Sequence, residues 1–287
     1  MNIREIVKES FLFPTKDLNK LSTYVLLTGV MVFLGIWGLI YSIFPFETIY
    51  QVLGVILIFC TLCLYFILSG YRVTILKSGI NNSENVPSFN FKDNLLDGIK
   101  LVIINIVYCI IPLLITVFVG ILTGIPHLLV QLLNACEPLL KLDITNSTSF
   151  TNTMNSLSTP AVQQIFNNLM NAIVITIIVC IILFIIFAFI KAMGEARFAN
   201  TNSLVKGLNV IQSLRDIIAI GFKKVILSLI AVWGITIIIS SILGYLSSLS
   251  PIFSIILVII DAYLVIYCYR AVGVIYSDIN HPNSNRN

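Results

Sequence analysis

The chain has 287 residues, 58% of them hydrophobic and only 10% charged, with a formal net charge of +4. A soluble globular domain carries about 25% charged residues, and 17 basic plus 13 acidic side chains cannot clothe a fold of this length in water. A soluble fold is excluded, and the mean hydropathy of +1.00 makes lipid much of the solvent.

Residues 1–20 mix Arg4, Glu5, Lys8, Glu9, Lys16, Asp17 and Lys20. The apolar run that follows is too long for the core of a cleavable signal peptide, so targeting is expected to rest on the first span itself. A helix needs about 20 mainly apolar residues to cross the hydrocarbon core. The first span is predicted over residues 21–44, closed by Pro45 and the Phe46-Glu47-Thr48 turn. The second covers 49–75 and ends among Arg72 and Lys77. The third covers about 98–130. It is long enough to tilt, with Pro112, Gly120, Gly124 and Pro126 as bending points because proline removes a backbone donor. A break near Pro126, leaving a re-entrant piece, is the alternative. An Asn-, Ser- and Thr-rich external loop is predicted over 134–168. The fourth span covers 169–190 and stops at Lys191, the fifth covers 217–246 and the sixth 252–276. The fold class is therefore all-α: one polytopic transmembrane helix bundle over 1–287, with about six spans and amphipathic cytoplasmic connecting segments.

Basic residues collect on the cytoplasmic side of membrane proteins. Six spans put both termini and the loops after spans two and four on one side, and with them sixteen of the seventeen basic residues; Lys141 alone falls opposite. A miscount by one helix scatters them. A multi-pass protein of the cell membrane with both termini cytoplasmic is expected. Asn146-Ser147-Thr148 forms a glycosylation sequon in the predicted external loop, whereas the sequon at Asn81 falls inside. Of the six cysteines, Cys60 and Cys63 form a C-x-x-C. Its mid-membrane setting reads as two packed thiols one helical turn apart rather than a redox or metal site.

The two large cytoplasmic connections resemble one another. Span two ends in Ser69-Gly70-Tyr71-Arg72 and span four in Gly194-Glu195-Ala196-Arg197. The following spans open with Gly98-Ile99-Lys100 and Gly221-Phe222-Lys223. This suggests parallel repeat units over 49–133 and 169–248, an arrangement known in transporters; convergent loop chemistry is the alternative. Leu204, Leu208, Ile211 and Leu214 recur at helical spacing, which suits a short helix lying in the headgroup region.

The stretch from Gly70-Tyr71-Arg72-Val73 through Val86-Pro87-Ser88-Phe89 to Asp97-Gly98-Ile99-Lys100 resembles a conserved part of domain of unknown function 4013. Glu195-Ala196-Arg197-Phe198-Ala199 with Ile218-Ala219-Ile220-Gly221 resembles a second. The resemblance implies an uncharacterised multi-span protein of an archaeal plasma membrane and supplies no reaction, substrate or catalytic residue. Asn90 and Phe91 stand where that pattern often has an acidic residue and a tryptophan.

Asp261 is the sharpest candidate for chemistry, about ten residues into span six. A charge at midplane costs about 2.5–3.5 kcal/mol on insertion scales and faces the bundle interior or a partner. It suits either a cation or proton site or a structural hydrogen bond, with Asn105, Tyr108 and Tyr245 as candidate neighbours. Arg72, Lys100, Glu195, Arg197 and Lys223 mark the cytoplasmic border. Glu195 and Arg197, two residues apart, point to different helix faces. His127 near the outer end of span three and His281 in the tail complete no metal set. No catalytic, metal or cofactor motif is present, so a non-enzymatic protein is expected. Its partner is the lipid bilayer and not nucleic acid, with protein partners and homo-oligomerisation left open. It either organises membrane, lipid or partner proteins or, alternatively, is a small secondary transporter or channel using Asp261.

Overall fold

The computed structural model describes residues 1–44, 47–140 and 159–279, with side chains for all of these but 136–140 and 251. The elements in chain order are α1 (Ile3–Leu12), a 3-10 turn (Phe13–Lys16), α2 (Leu18–Ile43), α3 (Thr48–Ile80), α4 (Phe91–Leu122) and α5 (Ile125–Leu140). They continue with α6 (Pro160–Thr201), α7 (Leu204–Gly207), α8 (Val210–Ile220), α9 (Phe222–Leu249), α10 (Pro251–Tyr276) and a last 3-10 turn (Ser277–Ile279). The fold is all-α, with no strand among the described residues. Among the described residues six helices are long and apolar enough to cross a membrane: α2, α3, α4, α6, α9 and α10. Their apolar stretches are only 6–22% buried within the chain, and Leu26, Phe33, Val55, Ile178 and Ile237 stand exposed. In water such surface has no stable home; in lipid it is the expected coat. The chain is a multi-pass membrane protein.

Two compact units are present, Met1–Val107 with Phe189–Asn287, and Tyr108–Ala188. The first holds most of the core, and that core sits at one end of its helices. In α3 the stretch 68–80 is almost continuously buried, whereas 48–60 is mostly exposed. Phe13, Tyr24, Leu68, Tyr71, Ile75, Val86, Ala262 and Ile266 form one apolar cluster. The connection between α3 and α4 is drawn onto it: Phe89 stacks on Tyr71 at 3.8 Å between centroids, and the Tyr71 hydroxyl donates to the Pro87 carbonyl at 3.1 Å. Helix α2 starts at Asp17, which accepts from the Lys20 amide at 3.2 Å and pairs with its ammonium at 3.1 Å. Lys20, bonded through side chain and then backbone, holds the Asp17 carboxyl below its ordinary value.

Helices α3 and α10 cross on a glycine pair. A Cβ on Gly79 would lie 2.8 Å from the Gly273 Cα, and one on Gly273 would lie 2.5 Å from the Leu76 carbonyl oxygen. Helices α3 and α4 approach more closely still, through Gly70 and Gly98. Small residues at crossings let helix backbones touch, which is how membrane helices gain packing without a hydrophobic driving force.

In the second unit α4 ends at Leu122. Gly124 adopts a φ of +78°, and α5 begins with Ile125-Pro126, so the predicted bend near Pro126 is a chain break two residues earlier. A left-handed φ favours glycine, and proline suits a helix start. The Thr123 and Thr176 hydroxyls lie 3.3 Å apart.

Several predicted bounds shift for physical reasons. Helix α3 runs to Ile80 instead of 75, and α6 runs from Pro160 to Thr201 instead of 169–190. Their basic ends, Lys77 and Arg197, are neutralised by carboxylates and stay helical. The predicted fifth span begins at Phe222, not 217, because Gly221 takes a φ of +114° and separates it from α8. The predicted loop 134–168 is helical at both flanks, in α5 and α6. Asn146, Lys141, His281 and Arg286 lie outside the described residues. The suggested headgroup helix is two pieces, α7 and α8. Asn209 caps the second by accepting from the Gln212 amide at 3.0 Å, and Ile211, Leu214 and Ile218 form its exposed apolar side.

Candidate functional site

Charged side chains of the first unit gather at the buried end of its helices, where they bind one another. The tightest group centres on Arg270 of α10, only 2% exposed. Its Nη2 and Nε donate to Glu9 Oε1 at 2.6 and 3.1 Å, its Nη1 donates to Ser78 Oγ at 2.9 Å, and the guanidinium lies 4.1 Å from the Phe13 ring centroid. Glu9 lies on α1, so this clamp fastens the N-terminal helix to the last span. Phe11 reinforces it, packing edge-on against Tyr263 and Tyr267 at 5.4 and 5.5 Å, and its carbonyl accepts from the Tyr263 hydroxyl.

A second group joins α6, α8 and α10. Arg197 Nη1 donates to both carboxylate oxygens of Asp216, at 2.8 and 2.7 Å, and the buried Tyr276 hydroxyl donates to Asp216 Oδ2 at 3.0 Å. Among the described residues the buried Arg197 Nε has no hydrogen-bond partner. Arg197 thus holds a carboxylate, where a lipid-phosphate anchor or a helix cap is the usual role at a span border. Hydrogen bonds to charged groups contribute about 1.5–3 kcal/mol. Tyr276→Phe is expected to lower stability by about that much in denaturant titration of the detergent-solubilised protein; an unchanged midpoint would show that the hydroxyl contributes nothing.

The other border residues fall in the same region. Arg72 Nε donates to the Tyr24 hydroxyl at 3.3 Å, and its guanidinium lies 5.8 Å from the Tyr269 ring and 6.0 Å from that of Tyr65. Glu195, with its side chain 6% exposed, has the Lys191 ammonium at 3.7 Å one turn away. Asp97 sits between Lys77 at 2.8 Å and Lys100 at 3.4 Å. Lys224 pairs with Asp278, whereas Lys223 lies exposed at the head of α9.

The glycines that make the two connections look alike do different things. Gly98 is mid-helix in α4 and admits the Phe66 carbonyl; Gly221 ends α8 in a left-handed turn. Arg72 and Arg197, matched in sequence, bind a tyrosine and an aspartate respectively.

Asp261 lies on α10, half-buried, and accepts a hydrogen bond at 2.8 Å from Ser240 of α9. Tyr245 is 69% exposed, and the buried Oδ1 of Asn105 has no hydrogen-bond partner among the described residues. Tyr108 is buried in α4 within the second unit. Ser240 carries no local signal in the sequence, being a serine in an apolar run 21 positions from its partner. Among the described residues no group of three metal-ligating side chains comes together.

No curated protein and no solved structure matches the chain. The family described as "Protein of unknown function (DUF4013)" matches residues 53–249, more than two thirds of the length. The matched segment includes Arg72, Asp97, Glu195, Arg197 and Asp216 and leaves out Glu9, Asp261 and Arg270. The packed Val86–Phe89 connection and the Arg197–Asp216 pair thus fall within a recognised unit, and this multi-pass membrane chain belongs to the DUF4013 family.

Proposed function

We propose that the protein is a non-enzymatic component of the cell membrane, both termini cytoplasmic, that organises lipid or partner proteins at the inner face. One observation carries this reading: the charged groups at the buried end engage each other, as in Arg270 with Glu9 and Arg197 with Asp216. Groups committed to such pairs fasten helices together and have little capacity left for a passing substrate. The orientation is supported by the positive-inside distribution of sixteen of the seventeen basic residues.

The carrier reading has one observation of its own, the Asp261–Ser240 contact within α9 and α10. A carboxylate at that depth is a natural cation or proton site. Proteoliposomes loaded with a pH- or cation-sensitive dye separate the two. Flux no greater than in protein-free liposomes is expected, for the wild type and for Asp261→Asn alike. Flux in the wild type that disappears in Asp261→Asn would replace the organising role with transport. Orientation has its own test in a chain whose six native cysteines are changed to serine. Lys8→Cys should react with an impermeant maleimide only after lysis, and labelling in intact cells would overturn the orientation.

A further inference from the structure

A groove of about 830 Å³ runs between α1 and α9, lined on one side by Arg4, Val7, Lys8 and Phe11 and on the other by Ala231, Ile235 and Ile239. Its walls are almost wholly apolar, and Arg4 and Lys8 supply cations at its α1 edge. These two are four residues apart and so share one helix face. Both are exposed and form no ion pair or hydrogen bond among the described residues. The two α1 carboxylates are already engaged: Glu5 accepts from the Asn2 amide at 2.8 Å, and Glu9 holds Arg270. A smaller hollow adjoins through Ile3, lined by Phe222, Lys223, Lys224 and Leu227. Leu227, Ala231, Ile235 and Ile239 recur every fourth residue, so the two hollows form one trough along α9. At 1.5 Å per residue it extends about 18 Å, roughly the depth of one leaflet of a ~30 Å hydrocarbon core.

We propose that this trough holds one chain of an anionic membrane lipid, with the phosphate-bearing headgroup between Arg4 and Lys8. A free anion has no use for the apolar wall, and a zwitterionic lipid brings a cation of its own beside the phosphate, so it matches the two side-chain charges less well. An anionic lipid satisfies both surfaces at once. Ala231 provides room where a larger side chain would fill the trough. The inference deepens the organising role above and shares with it only the bilayer setting. A chain that transported ions would still hold the lipid, so the two readings fail separately.

The test is native mass spectrometry of the full chain released from mixed micelles of phosphatidylglycerol and phosphatidylcholine. One phosphatidylglycerol is expected to be retained in preference. Each basic residue near a membrane surface is worth about fivefold in lipid affinity. Arg4→Ala with Lys8→Ala should therefore lower that preference about 25-fold, and higher salt should weaken it. Arg4→Lys with Lys8→Arg keeps the charge and should keep the preference, which separates loss of the site from loss of the fold. Ala231→Phe should reduce retention of both lipids at this site. Equal retention of the two lipids by the wild type, or no change in the double alanine variant, would overturn the proposal. Loss of preference in the charge-conserving variant would overturn the headgroup assignment.

Discussion

Alanine at Gly70 or Gly98 is expected to force α3 and α4 apart. A Cβ on Gly70 would lie 1.7 Å from the Asn94 carbonyl oxygen, and one on Gly98 would lie 1.8 Å from that of Phe66. Both obstacles are backbone, so no rotamer change relieves them. Separation would also disturb Thr74 Oγ1, which donates to Asn94 Oδ1 at 3.2 Å, and the Lys77–Asp97 pair. Overpacking in a well-filled core costs about 1–3 kcal/mol and sometimes more, and a clash with main chain belongs at the upper end. Each substitution should cost about 3 kcal/mol or more in a denaturant titration of the detergent-solubilised protein. At Gly29, Gly234 and Gly244 an added Cβ would meet nothing within 4 Å, and helix-interior glycine is disfavoured against alanine by roughly 0.5–1 kcal/mol. Alanine there should be neutral or stabilising. Equal behaviour of Gly70→Ala and Gly29→Ala would refute the close crossing.

Arg270→Ala should be comparably severe through a different mechanism. It strands Glu9 and Ser78 and removes the cation over Phe13. Removing one partner of a fully buried ion pair costs about 3–5 kcal/mol because the remaining charge is unmatched, whereas replacing the whole pair with apolar residues is often near neutral; Glu9 keeps 26% of its side chain exposed, so the cost here belongs at the lower end. Arg270→Met combined with Glu9→Leu should therefore be more stable than either single change. The interaction energy from that double-mutant cycle is the measurement. Hydrogen exchange of the α1 amides gives an independent readout. Exchange should accelerate across Ile3–Leu12 in Arg270→Ala and stay slow in the double variant. Additive effects, or unaltered α1 exchange, would show that the clamp does not hold α1.

The spans are legible in the sequence because lipid imposes a length and a polarity on them. Runs such as 169–190, mostly Ile, Val and Phe, have no other reading. Their ends are less legible, since a helix continues past the apolar run wherever a distant carboxylate neutralises its basic border. Lys77 finds Asp97 and Arg197 finds Asp216, 20 and 19 positions away, and neither pair sits in a local motif. The break at Gly221 is masked by the apolar residues on either side of it. Asp261 announces itself as a charge within a span, but its hydrogen-bond donor is an ordinary serine that no local pattern singles out. Val86-Pro87-Ser88-Phe89 is visible as a motif. Its purpose, to cap the Tyr71 ring and accept its hydroxyl, needs the fold.

The Glu9–Arg270 clamp also has a consequence in time. Its partners are 261 positions apart, and a ribosome adding about 5–20 residues per second needs roughly 13–50 s to travel between them. Throughout that interval Glu9 has no guanidinium to meet, and α1 has no last span on which to dock. Docking of the first helix is therefore a closing event of assembly. A nascent chain held up before Arg270 therefore has a first helix whose Glu9 lacks its partner.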